Sequence, residues 1–392
     1  VFAERTRKVQ ASPTFRVAGL ARELRARGED VVDFSVGEPD FPTPAAAKEA
    51  GKRAIDADLT RYTANEGTIE LRRAIAAKLK ADNGLEYAPD EIVVSPGAKA
   101  SLFCASMALF GPGDEVLVPT PCWPTHPEQV RLAGAEPVFV ECRESDGFHL
   151  RADDLQRALT PRTKGLLLNY PSNPTGACPK RSEMVAIARV AAERGLVVVA
   201  DEIYEKLLYD GRSFVSIASL EGMRARTVVV NGMSKAFAMT GWRLGYAAAP
   251  REVAAEISKI QSHSTSHPAS MAQEAAVAAL TSCAADVARM REEFEARRTI
   301  AVEGLRAVPG ITCAVPDGAF YAYPNVSGLF GRTVAGKTLK TPEDVALDLL
   351  GRAKVAVVQG EAFLSREHVR LSFACSRERL AEGLRRIAEA YA

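Results

Sequence analysis

Three stretches of this chain fill with apolar residues and then stop on polar ones. They are GLLLN (165–169), LVVVA (196–200) followed by Asp201, and TVVVN (227–231) with Lys235 shortly after. Unbroken apolar runs of this length suit strands of a parallel sheet covered on both faces. A helical stretch, 182–194, closed by Gly195, joins the first run to the second. This alternation predicts an α/β fold, with a three-layer α/β/α large domain built on a mostly parallel sheet. In open sheets of that kind ligands bind beyond the carboxyl ends of the strands. Asn173, Asp201 and Lys235 are therefore expected on one rim.

The last run carries the chemistry. Lys235 lies in SKAFAMTGWRLGY (234–246), at the end of an apolar strand. Desolvation disfavours an ammonium and lowers its pKa. A neutral amine can attack a carbonyl and form a Schiff base. The Ser234 hydroxyl and Arg243 guanidinium are groups that hold phosphate. An imine-forming lysine beside a phosphate site points to pyridoxal phosphate. Asp201 fits that chemistry, because a carboxylate against a pyridine nitrogen keeps it protonated and lets the ring accept electrons. Taken singly, each residue has a plainer reading. Lys235 and Arg243 can be a surface lysine and an ordinary ion-pair arginine, and Asp201 can cap the next helix.

The remaining chain supplies further candidates. A helix is expected over 15–28 and a short strand over 31–36. Gly37, which opens GEPDFPTP (37–44), is either a turn glycine or one that lets backbone approach a ligand. Tyr62 sits in a polar loop (62–65) before a helix at 69–79, and alone reads as a half-buried aromatic. IVVS (92–95) is a strand, PGAK (96–99) a tight turn, and 100–110 an apolar helix. The N–H groups at such a helix start favour an anion, and Lys99 there is misplaced unless an anion lies close. Trp123 and His126 follow the strand 115–119, and 138–141 is another strand. Residues 252–307 read as helices with a polar break at 261–268. Beyond them come a strand at 318–323, a capping box in TPED (341–344) opening a helix to 350, strands at 355–358 and 368–373, and a terminal helix. The box and its proline at the first helical position are start signals. This C-terminal part reads as a smaller α+β domain. Arg370 stands inside the last strand on a face the sequence does not assign, and pointing inward it needs an anion.

Bulk properties narrow the function classes. The 392 residues are 47% hydrophobic and 25% charged, and the formal net charge is +1. That balance gives no electrostatic reason to expect nucleic acid or an acidic membrane as partner. Seven scattered cysteines without a C-x-x-C pair predict free thiols in a reducing cytoplasm, with no disulfide frame and no metal site. No apolar run approaches a bilayer span, and the first five residues carry no signal-peptide core.

Eight motifs then stand in order from about Ser12 to the C-terminus: SVGEPDF, RYTANEG, SPGAKASL, NYPSNPTG, ADEIY, SKAFAMTGWRLGY, GAFYAYP and HVRLSFA. With them the chain resembles the class I aminotransferases of pyridoxal-phosphate fold type I, in their bacterial aspartate branch. The resemblance implies a large cofactor-binding domain at 41–290 and a small domain made from 1–40 and 291–392. It implies that Lys235 is the Schiff-base lysine and proton carrier, and that Asp201 partners the pyridine nitrogen. Tyr204 and Asn173 are implied as partners of the ring hydroxyl oxygen, and Trp123 as the stacking aromatic. Ser234, Arg243 and the backbone of Gly97, Ala98 and Lys99 are implied as the phosphate cradle. Tyr62 resembles a tyrosine that reaches the phosphate from the other subunit, which implies a homodimer. Arg370 resembles the clamp for the substrate α-carboxylate, supported by Gly37, and His126 a histidine behind the ring found in some members. Lys99 with a serine at Ser12 is the pair that holds a distal carboxylate in that branch, although Pro13 and Phe15 make this segment more apolar. The expected reaction moves an amino group from L-aspartate to 2-oxoglutarate. Prephenate, aromatic amino acids or alanine are the alternative substrates, and the ligand-sensing part of a transcription regulator of this fold is a more distant reading.

Overall fold

The computed structural model describes residues 1–10 and 15–392, so the expectation at Ser12 lies outside the described residues. The apolar runs build one sheet of seven strands. These are β1 (Ile92–Ser95), β2 (Glu115–Thr120), β3 (Glu136–Glu141), β4 (Thr163–Asn169), β5 (Val197–Asp201), β6 (Thr227–Gly232) and β7 (Gly245–Ala248). They lie in the order β1-β7-β6-β5-β4-β2-β3. The pairs from β6 across to β3 are parallel, and β7 runs antiparallel to both of its neighbours. Asn169 pairs with Asp201 and Asp201 with Val230, so the carboxyl ends of β4, β5 and β6 are level.

Both faces of the sheet are covered, which is why its strands lack alternation. Leu167, Val199, Val228 and Val230 pack with Leu102 and Ala105 of helix α1 (Ala98–Leu109). Their neighbours Leu166, Leu168, Val198 and Ala200 pack on the other side with Met184 and Ile187 of α2 (Arg181–Glu193). Full burial of one such side chain stabilises the fold by roughly 1.5–3 kcal/mol.

The smaller α+β domain joins the two ends of the chain. Strands β8 (Tyr321–Ala322), β9 (Val358–Gln359) and β10 (Val369–Ser372) form an antiparallel sheet in the order β9-β10-β8. Val32–Asp33 pairs in parallel with Val355–Ala356. Val17 and Phe34 share a core with Leu305, Leu371, Phe373 and Leu384. The long helix α3 (Ala284–Arg306) supplies Phe294 to this core, and α4 (Arg377–Tyr391) supplies Leu380 and Ile387. Two buried arginines anchor α3. Arg297 donates to Asp40 at 2.7 Å, and Arg298 donates two bonds to Asp210 at 2.6 and 2.7 Å.

Several expected elements are shorter than their apolar runs. The strand expected at 31–36 is only Val32–Asp33, because Ser35 turns back to donate from its N–H to Asp33 Oδ1 at 2.8 Å. That expected at 318–323 is only Tyr321–Ala322, since Ala319 takes a left-handed turn with φ 58°. The 355–358 run splits, one half pairing with the N-terminal segment and the other with β10. Helix α1 begins at Ala98, two residues before its expected start. The TPED box is formed as expected, with Asp344 N–H donating to Thr341 Oγ1 and Thr341 N–H to Asp344 Oδ2. Its helix, Pro342–Asp348, widens into a π turn over Leu349–Ala353. Among the described residues no helix is long and apolar enough to cross a membrane.

Candidate active site

A cavity of about 540 Å³ opens at the carboxyl ends of β4, β5 and β6. The level strand ends bring Asn169, Asp201 and Ser234–Lys235 to its wall, together with Asn173 and Tyr204 from the following turns. The start of α1 contributes Ala98 and Lys99, and the small domain contributes Tyr321 and Arg370. Of the sequence candidates, Gly37, Trp123 and Arg243 also line this space. Tyr62 does not: it is 94% exposed, with the His267 ring edge-on at 5.5 Å.

Lys235 Nζ donates to the Gly37 carbonyl at 2.6 Å and lies 5.9 and 5.7 Å from the ring centres of Tyr204 and Phe320. Removal from water, and then the charge of Arg370, lower its pKa to about 8. The amine is thus far closer to neutrality at physiological pH than a surface lysine. Asp201 is buried at the end of β5. Its Oδ2 lies 3.1 Å from His126 Nε2, and its Oδ1 accepts from the Ile203 N–H at 3.3 Å. A carboxylate only accepts, so Nε2 carries the proton and the carboxylate is held in one orientation. His126 in turn meets the Trp123 ring edge-on at 5.3 Å.

Two cations mark the two ends. At one end the Arg370 guanidinium is buried, and it donates to Asn173 Oδ1 at 3.0 Å and the Ser35 carbonyl at 2.8 Å. Its Nε has no acceptor, and among the described residues no carboxylate pairs with it. A buried guanidinium held only by neutral acceptors is costly, so this end of the cavity calls for an anion. At the other end the Arg243 backbone is left-handed at φ 54°, and its Nη1 donates to the Thr240 carbonyl at 2.8 Å. Gly97 has φ 88°, and a Cβ built on it would overlap the Arg243 guanidinium. Only glycine serves there, because the turn is left-handed and the arginine packs against it. The first N–H groups of a helix have no acceptor in the preceding turn, and Ala98 and Lys99, which open α1, line the cavity. Lys99 Nζ stands 4.8 Å over the Trp123 ring, and partial burial followed by the charge of Arg243 lowers its pKa.

Sequence reasoning did not single out Tyr321. Its hydroxyl lies 2.8 Å from that of Tyr204, and its ring lies 4.4 Å under the Arg370 guanidinium. The available signal was its place inside GAFYAYP. Glu38, which accepts from Thr240 Oγ1 at 2.8 Å at the cavity wall, was also passed over.

The amine of lowered pKa, the oriented carboxylate, the anion-demanding cradle at α1 and the unpaired guanidinium fit pyridoxal phosphate with an amino acid. Fold and site together define a fold-type I, pyridoxal-phosphate-dependent transferase. The chain belongs to the aminotransferase class I and II family, whose model matches residues 29–387. It is 45% identical to an aspartate/prephenate aminotransferase of Cereibacter sphaeroides, over 97% of this chain and 96% of that protein. The crystal structure of the aspartate aminotransferase from Rhizobium meliloti superposes with a TM-score of 0.96 at 42% identity, covering 100% of this chain and 98% of that one. The aspartate aminotransferase from Thermus thermophilus with maleate gives 0.94 at 41%, covering 100% and 99%. The protein is therefore an aminotransferase that uses pyridoxal phosphate and acts on amino acids and 2-oxo acids.

Proposed function

We propose that the enzyme moves the amino group of L-aspartate to 2-oxoglutarate in two half-reactions. The observation that carries this is the pairing of an unpaired buried guanidinium, Arg370, with a second cation, Lys99, on the same cavity. Aspartate and glutamate carry two carboxylates, and the two cations offer one site to each. Bound pyridoxal phosphate supplies a carbonyl that condenses with amines and a ring that takes up electron density from the substrate Cα. Ser234, Arg243 and the backbone of Gly97, Ala98 and Lys99 would hold its phosphate. Asp201 would face the ring nitrogen, Tyr204 and Asn173 the ring oxygen, and Trp123 a ring face. Arg370, with Gly37 beside it, orients the α-carboxylate. Lys235 Nζ would take the proton from the substrate Cα and give it to the former carbonyl carbon of the cofactor, a task its lowered pKa suits.

Two variants test the reading. Lys235→Ala should abolish turnover and the imine absorbance band of the loaded protein, and full turnover by that variant overturns it. Lys99→Ala should lower kcat/KM for aspartate about tenfold or more while sparing phenylalanine, and an unchanged aspartate rate removes the distal-carboxylate role. Prephenate is the second reading, favoured by the name of the Cereibacter relative. It also bears two carboxylates, and a panel of donors and acceptors that includes alanine and aromatic amino acids separates the cases.

Three further assignments belong to this proposal. The domain division at 41–290 is supported by the shared core of the two chain ends, although Tyr204, Leu207 and Tyr209 also enter that core. The boundary at 290/291 falls inside α3, so that helix serves both domains. A homodimer is supported by Tyr62, whose exposed ring suits a partner's site better than its own. A cytoplasmic setting is supported by seven cysteines, all unpaired.

A further inference from the structure

The hydrogens available to Tyr204 do not cover the role given to it unless a second residue supplies one. A phenol hydroxyl carries one hydrogen. Tyr204 and Tyr321 are both buried, and their hydroxyls lie 2.8 Å apart with either able to donate. If Tyr204 donates to Tyr321, it has nothing left for a ring oxygen. The surroundings of Tyr321 set the direction. The Arg370 guanidinium lies on the Tyr321 ring face and can only donate. Among the described residues, Tyr204 is the one hydrogen-bond partner of the Tyr321 hydroxyl. With Arg370 able only to donate, the Tyr204 oxygen is the acceptor the structure offers to the Tyr321 hydrogen.

We propose that Tyr321 is a positioning residue that donates to Tyr204 and so commits the Tyr204 hydrogen to the oxygen of the bound ring. This inference rests on the reading of Tyr204 as the ring-oxygen partner. The chain Tyr321 to Tyr204 to ring oxygen runs one way. Each bond polarises the next, so the outer phenol strengthens the inner bond without touching the cofactor. Tyr321 is held for this by its place in β8, paired to Ser372 of β10, and by Phe320 at 4.7 Å. The same phenol ring underlies Arg370, so the carboxylate end and the ring-oxygen end of the cavity share one side chain.

The test is a pH titration of the visible band of the protein loaded with pyridoxal phosphate, without substrate. The parent, Tyr321→Phe, Tyr204→Phe and the double variant are compared. Phenylalanine keeps the ring against Arg370 and removes only the hydroxyl. A weaker donor to the ring oxygen leaves the proton it shares more tightly held, so the midpoint should rise by about half a pH unit or more in Tyr321→Phe. Tyr204→Phe should rise further, and the double variant should match it, because Tyr321 acts only through Tyr204. If Tyr204→Phe shifts the midpoint and Tyr321→Phe does not, the relay is wrong and the role of Tyr204 stands. If Tyr321→Phe shifts it equally in both backgrounds, Tyr321 acts on its own and the relay is again wrong. If neither single variant shifts it, the role of Tyr204 fails and the relay fails with it.

Discussion

Lys235 is expensive to keep where it is. Its folded pKa of about 8 lies below the ordinary 10.5, so the fold tolerates the ammonium less well than the unfolded chain does. Below pH 8 both states hold the proton and the whole cost weighs on the fold. Rising pH relieves it, and above about 10.5 nothing remains. The gap is worth about 3 kcal/mol. Cofactor-free Lys235→Met should therefore be more stable than the parent at pH 7 by urea unfolding. The advantage should shrink steadily from pH 8 to 10. A difference that stays flat across that window contradicts the desolvated seat. At Arg370 the buried charge is met instead by two neutral acceptors, Asn173 Oδ1 and the Ser35 carbonyl.

Among the elements, α4 shows how packing overrides propensity. In an exposed helix interior Gly→Ala stabilises by roughly 1 kcal/mol. At Gly383 a Cβ would overlap the Phe34 ring, and Phe34 is fully buried beside the N-terminal strand. Overpacking of a core costs about 1–3 kcal/mol, so it wins. Gly383→Ala should lower the urea midpoint rather than raise it, and a rise would mean that helix and strand are less closely packed than this. The contact ties the last helix to residues 32–34, which lead directly into Ser35 and Gly37 at the cavity. The sequence alone marked neither Gly383 nor the shortening of the strands around it. An apolar run records burial, and whether a strand neighbour exists along its full length depends on turns such as those at Ser35 and Ala319.

For the whole molecule, the open question of assembly has a direct test. If Tyr62 serves the partner's site, mixing inactive Lys235→Ala subunits with Tyr62→Ala subunits creates one site with both residues intact. Activity should then return as subunits exchange. No recovery, with exchange verified by mass, would place Tyr62 outside the partner's site. Much of this architecture was legible in the chain. Unbroken apolar runs specify a sheet covered on two faces, and the polar residues that end them specify its rim, because strand direction and burial are local properties of the backbone. Lys235, Asp201 and Asn173 were placed by that logic. The direction of Arg370 was not, since a single arginine in a strand has two faces open to it and only the docking of β10 against β8 and β9 chooses one. The bond from His126 to Asp201 and the phenol pair Tyr204–Tyr321 were equally out of reach. Each joins residues far apart in the chain, and only the packed interior determines which distant groups meet at hydrogen-bond distance.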